Sequence, residues 1–381
     1  MRAFRTVTLP ALAPAIASAA AVVFLFCATA FGVVLVLGGA GYGTVETEIY
    51  RRTTQFLDLR TAAVLSILQL VVVSVALWVA GRARARRERA LHLEDASVAV
   101  HRWSSRNVPD VAAALATAVV VGGLIVPLAG LVVRSFRGAD GAWTLENYVA
   151  LGTTGGRNAL VVTVWEALAT SIRTALVATV IAIVVGGLVA LVVSRRPRGR
   201  AARRAVGVLD GVVMLPLGVS AVTVGFGFLI TLDRPLGLDI DLRTSGLLVP
   251  IAQAVVAVPL VVRTVLPVLR AIDPRLREAA AVLGAAPGRV LRDVDLPLVL
   301  RSLGLAVGFA FAVSLGEFGA TAFLARPDAA TLPVVIFRLI GRPGAQNYGM
   351  ALAASVVLAV LTAVVMMAAD RLRAERTGGE F

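Results

Sequence analysis

The residues with the most specific spacing lie in REAAAVLGAAPGRVLRDVDLPLVLRSL, positions 277–303. Glu278, Ala279 and Ala280 are followed by three residues and Gly284, then by nine residues and Val294, then by one residue and Leu296-Pro297. These side chains are not equipped for covalent chemistry. They suit docking. Glu278 to Leu283 are mostly helix formers, and Gly284 lets the backbone turn where a side chain would obstruct it. Pro287 is able to open a second short helix, and the alanines are small enough to sit deep in a partner's groove. Glu317 and Gln253 are candidates of another kind, polar residues inside apolar runs. Such acids are costly and usually face a cavity or a partner. Glu317 either attracts a cation or makes a structural hydrogen bond between helices. No catalytic constellation and no metal site is expected. Cys27 is the single cysteine, and His92 and His101, nine residues apart in a polar stretch, are read as solvated linker histidines. The sequence also lacks a G-x4-GK[ST] loop, so it carries no nucleotide cradle of that type.

Long apolar elements must position these residues. The chain has 381 residues, 58% of them hydrophobic, and a mean hydropathy of +0.87. The expected fold is an all-α polytopic membrane protein with about eight spans: 13–37, 59–80, 111–134, 166–193, 207–231, 244–266, 299–324 and 346–369. Each is long enough for a hydrocarbon core of ~30 Å at ~1.5 Å per residue. An open sheet would leave backbone groups unpaired in lipid. A cleaved signal peptide at the N-terminus is disfavoured, because the apolar run is long and Pro10 and Pro14 sit at its start.

All 37 basic residues are arginine, and their placement sets the orientation. The N-terminus, 81–110, 194–206, 267–298 and the C-terminal tail, with Arg301, hold 24 arginines. The opposite connections, with Arg60, hold 11. The richer side is expected to be cytoplasmic, with both termini inside. RRPRGRAARR (195–204) then lies beside anionic lipid headgroups. The net charge of +14 does not indicate nucleic acid, because aromatics are few and the charges separate apolar runs.

An internal repeat organises the chain. RAFRTVTLP (2–10) aligns with RVLRDVDLP (289–297), so that Val7, Leu9 and Pro10 match Val294, Leu296 and Pro297. The same fixed offset, without a gap, pairs Phe31-Gly32 with Phe318-Gly319, Thr44 with Thr331, and Ile49-Tyr50-Arg51 with Ile336-Phe337-Arg338. Chance apolar similarity would not keep register across loops, so a duplication is expected. Residues 1–80 form the end of a first repeat and 81–110 a basic cytoplasmic linker. Residues 111–381 form a complete second repeat with its loop at 270–298. Glu317 has Ala30 as its counterpart, so its charge is one-sided.

The skeleton Glu278-Ala279-Ala280-x3-Gly284-x9-Val294-x-Leu296-Pro297 resembles the EAA motif of binding-protein-dependent ABC importer permeases of type I, with Val294 where the family has isoleucine. The resemblance extends over nearly the whole chain. It implies a permease subunit of the bacterial cytoplasmic membrane that is not itself an enzyme and binds no cofactor. Its implied partners are a dimer of ABC ATPase subunits, which hold the ATP, and an extracytoplasmic solute-binding protein. The loop is then the coupling helix that seats in a cleft of the ATPase. Val7, Leu9 and Pro10 are the remnant of the corresponding loop in the first repeat. The two-repeat layout resembles the fused thiamine and iron(III) importer permeases. TAFGVVLVLGG (29–39), TVETEIY (44–50) and residues 314–341 look closer to the thiamine type, with ferric iron as the alternative. A stand-alone secondary transporter or a membrane scaffold are the readings from other classes. Fused family members carry roughly twelve spans, so the shortened first repeat is expected to reflect a misplaced start or a truncated product.

Overall fold

A computed structural model describes residues 9–39, 41–85, 108–195, 197, 199–217, 219–233, 235 and 241–374, together with Thr6. Val7 and most of the basic linker lie outside the described residues. Among the described residues the regular elements are helical, with one isolated antiparallel bridge between Arg137 and Trp143. The first group is α1 (Leu9–Ala28), α2 (Gly32–Leu37), α3 (Val45–Thr54) and α4 (Leu59–Ala85). The second opens with α5 (Val108–Ser135), α6 (Glu146–Val149), α7 (Val164–Ser194), α8 (Arg200–Met214), α9 (Ala221–Thr231) and α10 (Leu248–Ala271). It continues with α11 (Pro274–Val282), α12 (Pro287–Val290), α13 (Leu296–Gly316), α14 (Thr321–Leu324), α15 (Leu332–Ile340) and α16 (Ala345–Ala374).

Five described helices are long and apolar enough to cross a membrane, lying within α4, α5, α7, α10 and α16. A sixth span forms if Pro287–Leu300 and Ser302–Gly316, bent by 62°, count as one. Three of the eight expected runs are broken helices rather than single spans. Run 13–37 divides into α1 and α2. Run 207–231 divides at Pro216, which lacks the N–H donor needed to continue α8. Ser220 then starts α9 by accepting a hydrogen bond from the Val222 N–H at 2.9 Å. Run 299–324 stops at Gly316, because the Glu317 carboxylate accepts the N–H groups of Ala320 and Thr321 at 2.7 and 3.0 Å and starts α14.

Small residues hold the bundle together. Ala178, Ala182 and Ala190 on α7 are buried with Ala254, Ala257 and Val261 on α10 and Ala306 and Ala310 on α13. A Cβ built on Gly186 would lie 2.9 Å from the Val261 side chain, and one on Gly225 would lie 2.6 Å from the Ala320 Cα. The α7/α10 and α9/α14 pairs therefore approach nearly backbone to backbone, as helices in lipid do where packing replaces the hydrophobic drive. A second cluster, including Leu151, Val164, Leu332, Val335, Leu339 and Met350, buries α15 against α7 and α16. The α7 helix opens with a reciprocal cap. Thr163 accepts the Glu166 N–H at 3.3 Å, and Glu166 accepts the Thr163 N–H at 2.7 Å.

The fixed offset found in the sequence maps the first group of helices onto the last. It carries α1 onto 296–315, within α13, and α3 onto 332–341, over α15. It carries α4 onto 346–372, within α16.

Candidate functional site

The loop at 270–298 is a helix–turn–helix with an explicit hydrogen-bond pattern. Asp273 accepts the Arg275 N–H at 2.9 Å and Pro274 occupies the first turn, so α11 starts where the sequence provides a cap. At its other end the Gly284 N–H bonds the Ala281 carbonyl and the Ala285 N–H bonds the Ala280 carbonyl, each at 3.0 Å. This pair of bonds is a Schellman ending, which requires left-handed backbone at Gly284, where φ is +79°. The spacing from Ala280 to Gly284 thus follows from how α11 ends. Ala286 is extended and Pro287 opens α12.

None of the residues of α11 is buried, and Glu278 and Ala279 are exposed. Val282 and Leu283 at the tip are each 87% exposed, an apolar knob held up by a rigid turn. Val294 is half-buried against the α7/α10/α13 cluster, while Leu296 and Pro297 are exposed at the start of α13. Leu9 and Pro10 stand at the start of α1.

One residue the sequence reading passed over ties this loop to the bundle. Asp295 is fully buried. Its Oδ1 accepts from Arg277 Nε at 2.6 Å and its Oδ2 from Arg195 Nη2 at 2.9 Å. Arg277 also donates to the Leu269 carbonyl at 3.2 Å. One carboxylate therefore clamps α11, the end of α7 and the last turn of α10. Each arginine gives the carboxylate one charge-assisted hydrogen bond, a stronger contact than one between neutral groups.

A second site lies between the first and last groups of helices. Residues paired by the offset touch each other there. Phe31 stacks on Phe318 with ring centroids 5.3 Å apart and planes 16° apart, and Tyr50 meets Phe337 edge-on at 6.4 Å. A residue meeting its own counterpart is the contact pattern of a two-fold axis. Phe318 also packs on Phe337, and Tyr50 on Phe323, so the seam is a continuous cluster of rings.

Glu46 stands one turn from Tyr50 on α3 and is fully buried. Gln69 on α4 donates its Nε2 to Glu46 Oε1, and Ser220, the cap of α9, donates its hydroxyl to Glu46 Oε2. Gln69 Oε1 is buried without a hydrogen-bond partner among the described residues. Burial pushes the Glu46 carboxyl up to about 7, against the lowering effect of the Ser220 and Gln69 hydrogen bonds. Sequence reading missed Glu46 as well. A signal was available, since the offset places Pro333 opposite Glu46 and Val356 opposite Gln69.

Glu317 is buried, and its carboxylate is occupied by the backbone of its own turn, with Thr321 Oγ1 donating to its carbonyl at 2.8 Å. Gln253 is buried in α10, with its Oε1 unpartnered among the described residues, and no hydrogen bond there joins it to Glu317. No group of three or more His, Cys, Asp or Glu suited to a metal ion occurs among the described residues.

A family described as "Binding-protein-dependent transport system inner membrane component" matches residues 186–376. The thiamine transport system permease protein of Escherichia coli (strain K12) is 29% identical over 90% of this chain and 60% of its own length. The chain thus spans about three-fifths of that relative. The molybdenum transport system permease protein of the same organism is 33% identical over 45% of this chain and 80% of its own length. Among solved structures, a chain of a bacterial alginate ABC transporter, crystallised with an alginate pentasaccharide-bound periplasmic protein, aligns with a TM-score of 0.56. It is 19% identical over 71% of this chain and 96% of that one, which establishes a shared fold.

Proposed function

Because the chain belongs to the family of inner membrane components of binding-protein-dependent transport systems, we propose that it is the membrane-spanning permease subunit of an ATP-driven importer. In this reading it hydrolyses nothing itself. A separate ATPase, present as a dimer, docks on the loop at 270–298, and an extracytoplasmic binding protein delivers the solute.

The observation that carries the reading is the shape of that loop. Its Schellman turn at Gly284 presents Val282 and Leu283 outward, and Asp295 joins the loop to α7 and α10. A knob that is both apolar and mechanically fixed transmits a push from a partner, whereas a stand-alone transporter has no use for it. Residues 1–80 and 111–381 are then two unequal permease repeats, related by the axis on which Phe31 meets Phe318.

For the solute we infer a thiamine-like organic cation rather than ferric iron. The name of the Escherichia coli thiamine permease, the stretch TVETEIY and the buried acid at the seam support this. A second reading, an oxyanion, draws on the molybdenum permease relative and on a cavity of about 370 Å³ lined by Arg173, Arg243 and Arg326. Two of those arginines already pair with Asp241 and Asp328, which leaves the cavity with little uncompensated charge.

Mild detergent extraction of the tagged chain from its own membranes tests the docking claim. An ABC ATPase is expected to be retained, and Glu278→Ala with Gly284→Ala to reduce its retention. Alanine at the positive φ of Gly284 strains the turn by about 1 kcal/mol. Full retention by the double variant, or no ATPase with the wild-type chain, would overturn the claim.

A further inference from the structure

Glu46 is hard to explain as part of the scaffold. The fold does not require an acid at this place in the helix, since the offset puts Pro333 there in the second repeat. Within the membrane domain a fully buried carboxylate is costly unless it is paired. Its hydrogen-bond partners, Gln69 and Ser220, are both neutral, and no salt bridge to it occurs among the described residues. Polar groups that break the local rule of a fold without stabilising it concentrate where a protein functions.

The surroundings narrow the function. Ser220 belongs to the second repeat, so Glu46 reaches across the seam. Tyr50, on the next turn of α3, continues into the rings of Phe31, Phe318, Phe323 and Phe337. Gln69 Oε1 adds a buried acceptor with no partner among the described residues. Aromatic faces beside a carboxylate attract organic cations, and a free acceptor favours one that carries an N–H donor. An oxyanion would meet repulsion from the carboxylate and gain nothing from the rings.

We propose that Glu46 and Gln69, with the rings of Tyr50, Phe31, Phe318 and Phe337, form the specificity site of the translocation path, selecting a planar organic cation that carries an amino group. This rests on the importer reading above and assigns its solute contact. In the closed seam Ser220 and Gln69 satisfy the carboxylate. As the repeats separate, the stacked rings part, Glu46 loses Ser220, and the charge of the solute replaces that hydroxyl.

The test follows thiamine uptake and ATP hydrolysis together, in proteoliposomes holding the full chain with its ATPase and binding protein. Wild type, Glu46→Gln and Glu46→Asp are compared, with molybdate as a second solute. Removing the charge is expected to raise the KM for thiamine about tenfold, equivalent to ~1.4 kcal/mol, while ATP hydrolysis continues. Glu46→Asp is expected to restore part of that loss, which a merely structural role would not require. Thiamine uptake with an unchanged KM in Glu46→Gln overturns the site alone. Wild-type uptake of molybdate and not thiamine overturns the site together with the cation reading beneath it. If Glu46→Gln fails to assemble, Phe318→Leu decides. It keeps apolar volume but loses the π face, and an unchanged KM there overturns the proposal.

Discussion

Two acids, both fully buried, are treated in opposite ways. Asp295, in the loop at 270–298, is met by two arginines, whereas Glu46, at the seam, is met by an amide and a hydroxyl. The first arrangement is a closed electrostatic circuit. Removing its arginines would leave the buried Asp295 carboxylate uncompensated, which holds the elements it joins together. The second holds a carboxylate with weak, replaceable partners and leaves room for a stronger one. Under the proposed importer function the contrast is a division of labour: the loop at 270–298 transmits force, and the seam exchanges partners.

The largest expected effect is at the clamp. Asp295→Ala leaves Arg277, whose side chain is only 18% exposed, without its carboxylate, and is expected to destabilise the chain by about 3 kcal/mol. Arg195, at 49% exposed, contributes less because solvent screens it. Thermal unfolding in detergent measures this, and a midpoint equal to wild type would show that the clamp carries no load. A smaller effect is expected at Glu317, where glutamine opposes an amide N–H to the backbone donors of Ala320 or Thr321. That mismatch costs about 1–2 kcal/mol, and thiamine KM should stay at the wild-type value. A raised KM would move the solute contact from Glu46 to Glu317 and break the comparison. The smallest effect is the coupling between Phe31 and Phe318. A double-mutant cycle to alanine is expected to return about 1 kcal/mol of interaction in the closed state. Independent effects of the two substitutions would mean that the stacked rings do not close the seam.

What the sequence revealed divides along the same line. The local shape of the loop at 270–298 was legible because its signals are local: the helix formers from Glu278 to Leu283, the turn at Gly284 and Pro287 at the start of α12 all lie within a dozen residues. The offset that pairs Phe31 with Phe318 and Tyr50 with Phe337 was legible because it is a matter of register along the chain. Broken helices were not, because apolar runs such as 207–231 and 299–324 look continuous until a side chain takes over the backbone's hydrogen bonds, as Ser220 and Glu317 do. The two buried acids were hidden by distance along the chain. Asp295 finds Arg195 100 residues away, and Glu46 finds Ser220 174 residues away. Glu317 stood out as the acid inside an apolar run, yet its carboxylate is occupied by its own turn, whereas Glu46 looked like an ordinary loop acid in TVETEIY. Only the comparison with Pro333 marks it.

The division of labour is tested most directly by carrying Leu283→Glu and Glu46→Gln through one assay, reading ATPase retention and thiamine KM on the same purified complexes. Leu283→Glu is expected to lose the ATPase, and Glu46→Gln to keep the ATPase while its KM rises. An ATPase retained by Leu283→Glu as firmly as by wild type, or lost from Glu46→Gln, would contradict the account.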